Sequence, residues 1–298
     1  MDTYKIALLS LNVGFAPASV EAFAEHVEHY VRRSAEKGAK LLVLPEYAIE
    51  ACLAFKPAGL APVDEMAFLA ECGVELLERV QDWPRRYGVH LCLGSLPVHK
   101  GGRSFTNTAI LLTSDGRDIR QDKLCLTPGE KDPDSWQLTP GNDLVLFELD
   151  GLKMAIVICL DIEMPAHSLL LARADLDLVL VPSMTERLAG FHRVYDCAKA
   201  RAVELMTSIA VCGVIGASKG STQNMTNFSG AALFVPCEEE LGHRGVAAFV
   251  DPTDGEDGKD IFIQASVPVG IVRQLRQGDA EVWPGAWTAE HVKTRSLF

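Results

Sequence analysis

Short apolar runs alternate with longer amphipathic segments along this 298-residue chain. "KIALLSLNV", from Lys5, is apolar almost throughout, the pattern of a strand buried on both faces. The period then changes. From about Ala18 to Lys37, Val20, Phe23, Ala24, Val27 and Val31 share one helical face, and Gly38 supplies a stop signal. "LLVLP" predicts a second buried strand, with Glu46 directly after it, and a long helix is predicted from about Asp64 to Arg86, interrupted in propensity at Gly73 and Pro84.

Next the pattern predicts strand after strand. "HLCLGSLPV", "TNTAILLTS" and "RDIRQDKLC" are separated by glycine-rich turns, and beyond the loop 127–143 "DLVLFEL" and "LKMAIVIC" pair about Asp150-Gly151. A helix (about 165–174), the strand "LDLVLVP", a helix (about 186–206) and the strand "SIAVCGVIG" follow. Helices placed at two separate points around consecutive strands predict an α/β fold in which helices flank two stacked sheets. No repeat, linker or break in composition divides the chain, so a single domain over residues 1–298 is expected.

Composition narrows the function more than the fold. With 48% hydrophobic residues the chain can build a sizeable core. Its 40 acidic and 28 basic residues give a net charge of −12, which argues against nucleic acid or an anionic membrane surface as partner. The acidic stretches "CEEE" and "DPTDGEDGKD" are expected to be solvated loops. Eight cysteines, none in a C-x-x-C pair and most in apolar stretches, are the usage of reduced packing thiols. "MDTYKIALLSLNVG" has no basic segment ahead of a long apolar one, and no apolar run reaches the roughly 18 residues of a membrane span. A soluble, cytoplasmic protein is expected.

Several motifs have plain explanations. Gly216 to Gly220, "GASKG", matches G-x-S-x-G, but a polar, turn-rich segment rather than a helix follows Ser218. His26 and His29 can share a helix face, yet Glu25 and Glu28 mark it as solvated and no further ligands stand at metal-site spacing. No metal or cofactor is expected. Three residues share a more pointed placement: Glu46, Lys123 and Cys159 each lie just beyond an expected strand, where a scaffold can hold reactive groups at one rim. Together they supply a base, a cation and a nucleophile.

"LLVLPEY", "DKLCLTPGEKD" and "VICLDIEMP", in this order, resemble the three signature segments of the nitrilase, or carbon–nitrogen hydrolase, superfamily. The likeness continues into "VLVPSMTERLAGFHRVYDCAKARAVE", covers most of residues 4–235 and is closest to amidase-like branches; "PSMTERLAGFHRV" is similar to branches found alone or fused to acetyltransferase-like domains. The resemblance implies a four-layer αββα sandwich and a thiol amidohydrolase acting on a small amide or carbamoyl compound. Glu46 would be general base and acid, Lys123 the electrostatic stabiliser, Cys159 the nucleophile forming a thioester, and Glu130 an orienting glutamate. The backbone N–H of Leu160 would help hold the oxyanion. The family architecture also implies a homo-oligomer. Independently, the tail 270–298, with Val282, Trp283, Trp287 and Phe298, offers apolar groups for a subunit contact.

The pattern also departs from the family. A glutamate and an arginine common after the cysteine motif are Ala166 and Leu169 here, as if a buried ion pair had been removed whole. Leu205 and Ala155 replace a common asparagine and glycine. Ser183, Met184 and Thr185 are expected to line the substrate pocket, with Tyr47, Arg193 and Tyr195 within reach. Acyl transfer to an acceptor other than water, and a non-catalytic binding or assembly role, are the alternatives to hydrolysis.

Overall fold

The computed structural model describes residues 1–102, 104–222, 226–282 and 291–296. The first sheet is built from β1 (Tyr4–Ser10), β2 (Leu41–Val43), β3 (His90–Gly101), β4 (Ser104–Leu112) and β5 (Asp118–Asp122). The second takes β6 (Leu146–Leu149), β7 (Leu152–Ile156), β8 (Leu178–Ser183), β9 (Ser208–Gly213), β10 (Ala231–Phe234) and β11 (Val246–Phe249). β12 (Ile261–Val267) returns to the first sheet, giving the orders β12-β1-β2-β3-β4-β5 and β11-β10-β9-β8-β7-β6. Each sheet has three neighbouring parallel strands, β1-β2-β3 or β7-β8-β9, flanked by antiparallel ones.

Strand alternation sorts the apolar runs between two cores. Ile6, Leu8, Leu41 and Val43 face the second sheet and pack in one cluster with Ile156, Leu180 and Val211. Ala7, Leu9, Leu42 and Leu44 pack on the other side, beneath α1 (Val20–Glu36) and α2 (Glu65–Val80). Both faces are covered, so these strands read as continuous apolar runs. Cys212 Sγ donates to Val43 O at 3.5 Å, a contact between the two sheets. The two stacked mixed sheets with flanking helices are the expected sandwich.

The predicted long helix after Asp64 is two. α2 ends at Val80 and α3 (Trp83–Tyr87) restarts with Pro84 in its first turn, where the missing N–H leaves no helix bond unmade. Among the described residues the remaining α-helices are α4 (Pro128–Lys131), α5 (Pro165–Leu171), α6 (Leu188–Glu204) and α7 (Val269–Gln274). Among the described residues no helix is long and apolar enough to cross a membrane. Ser218 Oγ donates to Glu50 O at 2.7 Å, so its hydroxyl serves a loop, and His26 Nε2 lies 2.6 Å from Asp260. Of the apolar tail residues Val282 is exposed, while Trp283, Trp287 and Phe298 lie outside the described residues.

Candidate active site

Glu46 leaves β2 through Pro45 and is pinned against β3, with Tyr47 N donating to Ser95 O at 3.0 Å. Gly94 makes this approach possible. It has φ +69°, and a Cβ there would stand 1.8 Å from the Pro45 carbonyl oxygen. Lys123 directly follows β5, and its N–H donates to Asn107 O on β4 at 2.7 Å. Glu130 sits in the single turn α4, capped reciprocally by Thr127: Thr127 N and Oγ1 donate to Glu130 Oε2 at 2.8 and 3.0 Å.

These segments bring three buried charges together. Lys123 Nζ donates to Glu46 Oε1 at 2.8 Å and to Glu130 Oε1 and Oε2 at 3.0 and 2.8 Å. Asn107 Nδ2 bridges the same two carboxylates at 2.8 and 2.9 Å, and Tyr47 OH donates to Glu130 at 3.2 Å. Two carboxylates share one ammonium, and their surroundings push them apart. Burial drives the Glu46 carboxyl up, the nearby Glu130 adds to that, and Lys123 only partly offsets it. For Glu130 burial acts in the same sense, but Lys123, the Thr127 N–H and Asn107 outweigh it and hold this carboxyl below its usual range. Desolvation pulls Lys123 down, yet the two glutamates win and keep it a cation.

Cys159 stands at the end of the run that continues β7, in a short 3-10 turn, with φ +48°. That left-handed backbone is costly for a residue with a Cβ, and it sets the side chain off at a sharp angle from the strand end. Sγ donates to Met184 O at 3.4 Å. Burial, and then Glu46, push the thiol well above its ordinary value. Cys159, Leu160, Glu46, Lys123 and Glu130 line one cavity of about 490 Å³. A larger cavity, about 850 Å³ between α2 and β3–β5, shares only Trp136 with it and holds none of these groups. Convergent charge and a thiol, rather than size, mark the smaller one as the candidate site.

The carbon-nitrogen hydrolase family profile matches residues 5–235. The chain belongs to that family. YhcX, a probable hydrolase of Bacillus subtilis strain 168, is 28% identical over 260 residues, covering 87% of this chain and 49% of that relative. The chain thus spans about half of YhcX. The omega-amidase NIT2 of Danio rerio is 26% identical over 216 residues, 70% of this chain and 74% of its own. An amidase from a Nesterenkonia species shares the fold, with a TM-score of 0.67 at 22% identity over 93% of this chain and 95% of that one.

In this member of the family the rest of the cavity wall only partly follows expectation. Tyr47, Met184, Thr185 and Arg193 line it, with Arg193 Nε 3.4 Å from Glu163. Ser183 does not. It is the last residue of β8, fully buried, and its hydroxyl turns back to Cys212 O at 3.3 Å on the neighbouring strand. Tyr195 is also turned away, stacked on Phe191 one helical turn earlier with ring centroids 4.0 Å apart, its hydroxyl donating to Gly230 O. Ala166 and Leu169 are exposed, so a charge pair at those positions would sit on the surface and not in the core. Asn107, Trp136, Glu163 and Arg187 are wall or support residues that the sequence reading did not single out.

Proposed function

We propose that this protein hydrolyses the C–N bond of a small amide or carbamoyl compound through a Cys159 thioester. The observation that carries the reading is one ammonium, Lys123, held between two carboxylates of opposite proton affinity in the cavity that Cys159 lines. A thiol held protonated by burial needs a base at the moment of attack. Glu46, its carboxyl raised toward neutrality, is that base. As Sγ bonds to the carbonyl carbon, the thiol proton passes to Glu46 and the carbonyl electrons move onto oxygen. Lys123 and the Leu160 N–H stabilise that oxyanion. Glu46 then protonates the departing amine, the C–N bond breaks and a thioester remains. Water, deprotonated by Glu46, cleaves the thioester and returns the thiol. Glu130 stays ionised throughout and positions Lys123.

The relatives support this reading. Omega-amidase NIT2 acts on an amide by name. The Nesterenkonia amidase has been seen with butyramide, and, as an E41L mutant, with the acetamide moiety of fluoroacetamide added covalently at its active-site cysteine. The protonated Glu46 serves amine expulsion directly, so an amide is cleaved faster than the matching nitrile. Assembly belongs to the same reading: a homo-oligomer, at least a dimer, for which the exposed Leu169, Leu170 and Leu188 on α5 and α6 offer apolar surface.

A screen of small aliphatic amides, carbamoyl compounds and nitriles for ammonia release tests the reaction, with Cys159→Ala as control. Release by the wild type alone, and an acetamide-sized mass gain on Cys159 after fluoroacetamide, are expected. Undiminished release by Cys159→Ala would sink the mechanism.

A further inference from the structure

Outside the cavity, one carboxylate ties the Lys123 segment to the Cys159 turn. Asp161 Oδ1 accepts the Cys125 N–H at 2.7 Å, and Oδ2 accepts the Leu124 and Ile158 N–H groups, each at 3.2 Å. Asp161 is fully buried, and the residues it grips adjoin Lys123 on one side and Cys159 on the other. A second thiol stands on this clamp. Half-buried Cys125 places Sγ 3.8 Å from His167 Nε2, and His167 Nδ1 lies 3.1 Å from the backbone oxygen of Asp161. A carbonyl only accepts. Nδ1 therefore carries the ring proton of the neutral imidazole, and Nε2 turns its lone pair toward the Cys125 S–H. A nucleophile, a base within reach and a group orienting that base are the parts an activated thiol needs. They are complete here without any residue of the candidate active site.

Burial and the Asp161 carboxylate push the Cys125 thiol up, with Lys131 and Lys123 opposing. At rest the sulfur keeps its proton, so attack depends on the imidazole. We infer that Cys125 is a reversible modification site, whose thiol, with His167 as base, exchanges with small disulfides, and whose occupancy slows the reaction at Cys159 by disturbing the Asp161 clamp. Sγ attacks one sulfur of the disulfide while the S–H proton moves to Nε2. The S–S bond breaks, and the departing thiolate takes that proton from the imidazolium. Cys125 ends as a mixed disulfide and the small disulfide is reduced to one thiol, so no other oxidant enters. An adduct on Sγ displaces His167, at the start of α5, and pushes on the segment that Asp161 holds.

The coupling to activity rests on the hydrolase reading above; the modification itself does not. The test treats the reduced full-length protein with glutathione disulfide and follows each thiol by peptide mass mapping, with ammonia release measured in parallel. Exposed Cys237 is the internal reference. The Cys125 adduct should form several-fold faster than that at Cys237, and His167→Gln should slow it by at least about tenfold without altering Cys237. Activity should fall with the adduct and return with dithiothreitol. Cys125→Ser should hydrolyse amide at the wild-type rate and lose the sensitivity. Earlier labelling of Cys237, or a Cys125 rate indifferent to His167, would overturn the site. Full activity with Cys125 fully modified would overturn the coupling. If no amide proves to be a substrate, the mapping still decides the site, and the failure falls on the hydrolase reading alone.

Discussion

The two sheets contribute unlike rims to one cavity. Around the first, Glu46, Asn107, Lys123 and Glu130 lock one another through short hydrogen bonds and present fixed charge. At the second, Cys159 is held by a strained backbone and one bond to a carbonyl, and the nearby wall is loop and helix from Met184 to Val194. On the proposed reaction the first rim supplies the chemistry, and the second offers the contacts that would choose a substrate. Of the family departures, Ala166 and Leu169 lie exposed on α5 and Leu205 follows the end of α6, and none of the three lines the cavity.

Substitution on the two rims should separate these roles. Cys159→Ala should abolish ammonia release, by at least about ten thousandfold, with circular dichroism unchanged. Glu46→Gln should cost about 10²–10⁴-fold in kcat/KM, and Glu130→Gln less, because in the proposed reaction only Glu46 moves protons. A larger loss for Glu130→Gln in steady-state kinetics would reverse that division. Lys123→Met leaves two buried carboxylates without their cation and should destabilise by about 3–5 kcal/mol in urea unfolding, whereas Cys159→Ala should cost far less.

The pH profile sharpens the same contrast. In the proposed reaction Glu46 acts as base only when unprotonated, and burial raises its carboxyl above the ordinary glutamate value near 4.3. Activity should therefore fall, as pH drops, at a midpoint above that value; a limb at or below it would contradict the assignment. The smallest effect is expected at Arg193→Ala. Its exposed pairing with Glu163 is worth about 0–1 kcal/mol of stability, so the change should appear in KM more than in kcat.

How far the sequence could be read follows the range of the interactions. Strands buried on both faces were legible because apolar neighbours on either side leave no polar positions, as in Leu41–Val43 and residues 178–181. Glu46, Lys123, Cys159 and Glu130 were legible as reactive groups at strand ends and turns, backed by the family likeness. Asn107 was not, since one amide inside the strand "TNTAILL" looks the same whether it faces solvent or two carboxylates. Ser183 failed for a related reason: pleating decides its direction, and since Cys212 beside Pro182 faces the first sheet, Ser183, one position on, turns to the opposite face. The break between α2 and α3 was marked by Pro84, but proline at a helix start and proline in a helix interior leave the same letter in the chain.

The arithmetic of charge around Lys123 has a consequence for turnover. With one ammonium and two carboxylates, the buried trio is neutral when Glu46 holds a proton and carries a surplus negative charge when it does not. A neutral amide approaches either state without electrostatic cost. Hydrolysis releases an acid, which ionises beside Glu130 as Glu46 gives up its proton, so the product meets a like charge in a desolvated space. On the proposed reaction, the site tolerates what it consumes and repels what it makes, and product inhibition by the carboxylate is correspondingly weak.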